Sequence, residues 1–442
     1  MNNAVVIGGG FAGVEAATQL ARRGVPVTLY EMKPVRFSPA HRSADLCELV
    51  CSNSFKADRV GSAAGLLKAE MEMLGSLTVP LARANAVPAG GALAVDRDAF
   101  SAAVTAAVEA QPLITVERRE IVSVPDTGVA VVAAGPLASE ALSEDIVRVC
   151  GERLSFFDAA APIVTAAGVD MDLAFCSSRY EKGGDDYINC PMNKAEYEAF
   201  YEALVSAEVA SLHDFDRREN VYEGCMPIEI MAKRGKDTIR FGPMKPVGLT
   251  DPRTGRRPWA VLQLRRENRE GTLLNLVGFQ TNLKFSEQKR VFSMIPALHD
   301  AEFVRYGVMH RNSFLRSPGL LNADFSVIKR PELFFAGQIT GVEGYMESAA
   351  SGLLAGINAA RRVFGEAPLI LPPDTMLGAL SRYISDESVR DFQPMGAAMG
   401  LLPPLEARVR DKKRRYELLA ERALKSLARA LENDPSDPPA VP

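Results

Sequence analysis

Three glycines, Gly8, Gly10 and Gly13, stand directly after the apolar run Val5-Val6-Ile7, and the carboxylate Glu31 follows eighteen residues beyond Gly13. These types at this spacing suit a pyrophosphate and its ribose. Gly8 permits a tight turn, Gly10 lets the backbone approach a phosphate, and Gly13 lets a helix pack closely on the preceding strand. An alanine-rich stretch up to Gly24 predicts a helix whose N-terminal N–H groups face the anion. A second strand, Val25 to Tyr30, then delivers Glu31 to ribose hydroxyls. Glycine-rich turns alone also occur as plain loops; strand, helix, strand and terminal acid at these offsets favour dinucleotide binding. Gly8, Gly9, Gly10, Phe11, Ala12, Gly13 and Glu31 are the candidate cofactor-binding residues.

The other chemistry-bearing groups are six cysteines, Cys47, Cys51, Cys150, Cys176, Cys190 and Cys225. They form no C-x-x-C pair and have no matching histidine spacing, which argues against zinc or another metal. In a reducing compartment such thiols default to buried, inert groups, with one or two left that could react. By residue types alone, Cys225 between Gly224 and Met226-Pro227 could be inert or catalytic.

The elements that position these groups alternate between strand and helix at both ends of the chain. Ala63–Leu74 and Asp96–Ala110 have helical patterning, the latter with Asp96 as N-cap. Ile114–Val116, Ile121–Val124 and Gly128–Ala134 read as strands. Near the other end, the strand Leu333–Ala336 runs into Gly337-Gln338-Ile339-Thr340-Gly341 and a small-residue helix from Glu347 to Val363. A strand leading into glycines and a helix N-terminus can face a phosphate or a flavin edge. The expected fold is therefore α/β, a Rossmann-like FAD-binding domain of the glutathione-reductase type with an inserted α+β substrate domain. Its expected parts are 1–150 (first FAD segment), 151–320 (insertion), 321–370 (second FAD segment) and 371–442 (helical segment and disordered tail). With one complete fingerprint, a nicotinamide cofactor lacks a Rossmann domain of its own.

A chain of 442 residues exceeds most single cores, and 47% hydrophobic with 24% charged residues is an ordinary globular composition. Glu15 and Arg22 interrupt the best apolar run, so no membrane span or membrane partner is expected. The first strand begins by Ala4, leaving no basic leader region, and the expected location is cytoplasmic. The net charge of −4 gives no global sign of nucleic-acid binding. Two basic clusters are the local exceptions: Arg253, Arg256, Arg257, Arg265, Arg266 and Arg269 around the single tryptophan Trp259, and six basic side chains in 408–415, read as a charged helix. Solvated surface and a polyanionic substrate are the two readings of such runs.

Several longer segments carry a resemblance. They are Glu48-Leu-Val-Cys-Ser-Asn-Ser54, Ile188-Asn-Cys-Pro-Met192, Tyr222-Glu-Gly-Cys-Met-Pro-Ile-Glu229, Arg240-Phe-Gly-Pro-Met-Lys-Pro-Val-Gly248, Gly278-Phe-Gln-Thr-Asn-Leu-Lys284, Tyr306-Gly-Val-Met-His-Arg-Asn312 and Phe335-Ala-Gly-Gln-Ile-Thr-Gly-Val-Glu-Gly-Tyr345. With them the chain resembles the folate- and FAD-dependent uracil-5-methyltransferases of the small Gid or TrmFO type. Phe285 replaces the family's usual tryptophan and Trp259 its usual tyrosine, so an aromatic is kept at both. Beyond about residue 370 the match is poor.

The resemblance implies FAD as cofactor, NADPH or NADH as reductant and 5,10-methylenetetrahydrofolate as one-carbon donor. It implies a transfer RNA substrate, methylated at the T-loop uridine, with a ribosomal RNA uridine as the alternative. A thiolate must add to uracil C6 before C5 becomes nucleophilic, and Cys225 matches the family's nucleophile. Cys51 matches a second functional cysteine, as a base or as a shield for the flavin. Gly337, Gln338, Gly341 and Tyr345 join the cofactor-binding candidates. Arg97, His310, Arg311 and Tyr345 are candidates for holding the folate, flavin or uracil, and Arg256 and Arg257, from the first basic cluster, complete the substrate-binding candidates. A small-molecule flavin oxidoreductase and a non-catalytic RNA-binding flavoprotein are the competing readings. The oligomeric state is left open.

Overall fold

The computed structural model describes residues 3–151, 153–181, 184–210, 226–390, 392–432 and residue 434. Its central strand is β1 (Ala4–Ile7), which pairs in parallel with β2 (Val27–Glu31) on one side and with Ala130–Val132 on the other. The six-stranded sheet runs Ser326–Val327, Arg330–Phe335, Ala130–Val132, β1, β2, Ile114–Arg118. All its pairings are parallel except the first, an antiparallel edge pair. Strands from both ends of the chain thus close one sheet. Their apolar runs suit strands covered on both faces.

Helix α1 (Phe11–Arg22) connects β1 to β2 and is buried from Phe11 to Ala21. It packs on the long helix Tyr345–Phe364, where Gly352 faces the Ala12 backbone and Gly356 faces Ala16. A Cβ on Gly356 would lie 2.6 Å from the Ala16 Cα, so the alanine and glycine content of both helices sets their close approach. Glu15, buried within α1, accepts from the Leu77 and Thr78 N–H groups and from the Ser76 and Thr78 hydroxyls.

The intervening segment builds its own six-stranded sheet, in the order Phe175–Cys176, Tyr187–Met192, Ala260–Arg266, Leu273–Leu276, Ile163–Thr165, Phe303–Arg305, with antiparallel pairing. Tyr197, Phe200, Phe279, Phe292 and the apolar faces of those strands form a second core. An antiparallel pair, Arg153–Ala159 with Met309–Leu315, joins the two units. The fold is thus α/β with an inserted α+β unit.

Two expectations need correction. No strand covers Ile121–Val124: Ile121 lines a cleft, and the Val124 N–H donates to the Asp145 carboxylate at 2.8 Å instead of to a neighbouring strand. The basic run 408–415 is not wholly helical. Its helix spans Lys412–Glu432, and Asp411 accepts from the Arg414 N–H at 2.7 Å as the cap. Leu419, Ala420, Ala423 and Leu427 of that helix are buried in the core that contains β1. The tail expected to be disordered lies, apart from Asp434, outside the described residues. No helix among the described residues is long and apolar enough to cross a membrane.

A candidate dinucleotide and thiol site

The turn after β1 has the geometry that its glycines predict. Gly8 has φ +105°, and a Cβ on Gly13 would collide with the Gly8 carbonyl, whereas Gly10 has no neighbour within 4 Å on its open side. Gly10 is also the N-cap of α1, and no side chain caps that helix end. Glu31 is buried at the end of β2. Its two carboxylate oxygens accept from the Gly9 N–H at 2.8 Å and from the Lys33 N–H at 2.9 Å, so it shapes the turn and keeps further lone pairs for a ribose.

From this turn a cavity of about 420 Å³ runs to the N-terminus of the helix Tyr345–Phe364. Gly8 to Ala12, Glu31, Cys51, Lys56, Gly337, Gln338, Tyr345 and Glu347 all line it. The open face over Gly10, the Gly8–Gly13 approach and the bare helix N-terminus fit a pyrophosphate-containing dinucleotide such as FAD.

The wall beside Tyr345 is the segment Glu48–Ser54. The Tyr345 hydroxyl accepts the Val50 and Cys51 N–H groups, each at 2.9 Å, and lies 3.1 Å from the Cys51 Sγ. Its ring packs on Phe11, with centroids 4.9 Å apart, and edge-on against Phe55 at 5.9 Å. The carbonyls of this segment are held as well: Leu49 O by Arg97, Val50 O by Arg305. Asn53 receives the Arg265 guanidinium at 2.9 Å. Arg265 and Arg305 belong to the inserted sheet, so both units grip the loop that carries Cys51.

Of the remaining described thiols, Cys47 and Cys190 are buried, Cys150 is partly covered and Cys176 is exposed. Burial pushes the Cys47 thiol well up, and pushes Cys150 and Cys190 up to about 12. His41 also lines the cavity, bonded through Nδ1 to the Ser38 hydroxyl at 2.6 Å; burial and the nearby Lys33 lower its pKa and favour the neutral ring.

The family described as GIDA, glucose inhibited division protein A, matches residues 3–367. A protein of Heliobacterium modesticaldum, methylenetetrahydrofolate–tRNA-(uracil-5-)-methyltransferase TrmFO, is 57% identical over 425 residues, covering 96% of this chain and 97% of that protein. The chain belongs to the TrmFO family. Relatives of the same name from Lactobacillus gasseri and Desulforamulus reducens are 55% and 56% identical, each over 97% of this chain and 98% and 97% of their own. Among solved structures, Aquifex aeolicus GidA superposes with a TM-score of 0.70 at 19% identity, over 97% of this chain and 73% of that one, and so shares the fold.

Most of the candidate residues meet in one place. Gly8, Gly9, Gly10, Phe11, Ala12, Glu31, Gly337, Gln338, Tyr345 and Cys51 line one cavity. Gly13 and Gly341 do not line it: Gly13 packs on the Gly8 carbonyl, and Gly341 takes a left-handed turn at φ +86° beside Phe392. Arg97 is partly buried, paired with Glu267, and does not line the cavity. Arg256 and Arg257 are exposed near the Asp251–Arg256 turn, also away from it. Their basic cluster disperses, because Arg253 pairs with Asp251 at 2.8 Å and Arg265 turns inward to Asn53. Cys225 lies outside the described residues, as do the side chains of His310 and Arg311. Lys56, paired with Glu347 at 2.7 Å, is a lining residue with no warning in the sequence. It takes a left-handed backbone (φ +62°) that residue type does not announce.

Proposed function

We propose that the chain is a methylenetetrahydrofolate- and FAD-dependent methyltransferase acting on uracil C5 in transfer RNA, at the T-loop uridine, with NADPH or NADH as reductant. The names of its relatives support the reaction class. The observation that carries the reading is the juxtaposition of Cys51 with Tyr345 on the wall of a dinucleotide cleft.

When bound, FAD supplies electrons and the ring nitrogen through which a one-carbon unit passes to the base. The chain's own residues do the rest. Gly10 and the α1 N-terminus would hold the pyrophosphate and Glu31 the ribose, with Gly337 and Gln338 lining the same cleft. Cys225 adds to uracil C6 and makes C5 nucleophilic; Cys51 takes up the C5 proton. Residues 1–150 with 321–370 form the cofactor unit, 151–320 the substrate unit, and 371–442 a C-terminal helical segment and tail; the protein works in the cytoplasm.

Nucleoside mass spectrometry of separated transfer and ribosomal RNA from a deletion strain tests the target. Loss of 5-methyluridine from transfer RNA, restored by the gene, is the expected result. Loss confined to ribosomal RNA redirects the proposal to that substrate, and loss from neither removes it.

A further inference from the structure

The Tyr345 hydroxyl has one proton to donate and two lone pairs with which to accept. Both lone pairs are taken, one by the Val50 N–H and one by the Cys51 N–H, each at 2.9 Å. A thiol proton from Cys51 would need a third acceptor position on the same oxygen. The 3.1 Å contact between Oη and Sγ is therefore made by the phenolic proton pointing at sulfur. We infer that Tyr345 is a positioning residue whose O–H donates to the Cys51 Sγ and holds that sulfur as a thiolate.

Two consecutive backbone N–H groups on the phenol oxygen draw electron density from it and strengthen it as a donor. An O–H donor bonds an anionic sulfur more strongly than a neutral one. The geometry cannot relax easily, since the ring is wedged against Phe11 and Phe55 and the loop carbonyls are held by Arg97 and Arg305. Burial, then the nearby Cys51, push the phenol well above its ordinary range, so it remains a donor. The charged groups facing the pair are Arg97, from the helix Arg97–Glu109, and Arg305, from the inserted sheet. Glu267 offsets the charge of Arg97.

The consequence rests on the proposed role of Cys51. A thiolate at this place takes the C5 proton; the C5–H electron pair restores the C5–C6 double bond, and the nucleophilic thiolate leaves C6. Without its donor, Cys51 would be a thiol over more of the pH range and a poorer base.

The test is a pH titration of the ultraviolet thiolate absorbance of the full chain with FAD bound, taken as the difference from Cys51→Ala. Tyr345→Phe keeps the ring and should move this titration up by about one pH unit or more, roughly a tenfold loss of thiolate at a fixed pH below it. The acidic limb of the kcat profile should move with it. Should Tyr345→Phe fail to fold, a fluorotyrosine at position 345, being a more acidic donor, should move the titration down. An unchanged or oppositely shifted titration in the variant that folds overturns the inference. If the titration shifts as expected but Cys51→Ala methylates normally, the bond stands and the proposed role of Cys51 falls.

Discussion

Arg97 and Glu267 meet across the boundary between the sheet containing β1 and the inserted unit, with 13% and 2% of their side chains exposed. Arg97 also reaches the Leu49 carbonyl, so one guanidinium links the inserted unit, the first helix layer and the Cys51 loop. Burial disfavours its charge, but the adjacent Glu267 more than offsets this and raises the Arg97 pKa above its usual value.

Removing one member of such a pair strands the other charge. Glu267→Ala should lower stability by about 3–5 kcal/mol, while the apolar double replacement Arg97→Met/Glu267→Leu should cost less than the single change. Urea denaturation of both variants measures this. A double variant much weaker than Glu267→Ala would mean that the Arg97 bond to the Leu49 carbonyl, rather than charge pairing, dominates.

Gly10 and Gly13 separate cofactor binding from folding. Gly10 has ordinary dihedrals (φ −79°) and open space around it, so Gly10→Ala should fold with unchanged stability yet lose flavin, because the methyl occupies the phosphate's approach. Gly13→Ala collides with the Gly8 carbonyl and should destabilise the apoprotein by about 1–3 kcal/mol. Flavin absorbance and apoprotein melting of the two variants report both effects. Full flavin retention by Gly10→Ala would remove the phosphate from this turn.

Glu70 fastens the C-terminal helices to the first unit by accepting the Met376 N–H at 2.7 Å and the Leu377 N–H at 2.8 Å. Burial raises its pKa from 4.5 to about 7 against the pull of those donors. Because the folded form holds its proton up to a higher pH than the unfolded one, this group's contribution is full below about pH 4.5 and is lost as pH rises through about 7. The loss is on the order of 3 kcal/mol across that window. Compared with Glu70→Gln, the wild type should lose stability between about pH 5 and pH 8, on the order of that amount. Denaturation midpoints that diverge the other way would show that the carboxylate is the favoured form in the fold.

The parts of this architecture legible in the sequence are those where one local rule decides. The Gly8–Gly13 turn, the Asp96 cap, which accepts from the Ala99 N–H, and the small-residue helix after Gly341 each follow from a few neighbouring side chains. In residues 253–269, charge in a linear run says nothing of facing. Strand alternation sends Arg265 inward to Asn53 and leaves Arg266 exposed. The bond between Tyr345 and Cys51 spans 294 positions and depends on how both units close around one loop, which no local pattern encodes.

For RNA docking, the exposed pairs Arg256–Arg257 and Lys412–Lys413 each belong to one of the two basic clusters. Neutralising either pair should weaken RNA binding and flatten the slope of its salt dependence by about one for each phosphate that the pair neutralises, with flavin content unchanged. Filter-binding titrations at several salt concentrations measure the slope. A pair whose removal leaves it unaltered belongs to the solvated surface.

The covalent step can be tested directly, although Cys225 lies outside the described residues. A thiol can reach uracil C6 only after the base leaves its stack. The adduct then resolves when a base takes the C5 proton and the sulfur departs. With fluorine at C5 that proton is missing, so the methylated base cannot be released. RNA containing 5-fluorouridine, supplied with NADPH and methylenetetrahydrofolate, should therefore accumulate as a covalent complex through Cys225. Cys225→Ala should abolish both the complex and methylation of ordinary RNA while FAD stays bound. Cys51→Ala should still form the complex, since addition precedes proton removal, yet methylate ordinary RNA slowly. Peptide mapping by mass spectrometry identifies the attached sulfur. Attachment at Cys51 would exchange the two roles and leave the reaction class intact, whereas near wild-type methylation by Cys225→Ala would place the nucleophile elsewhere.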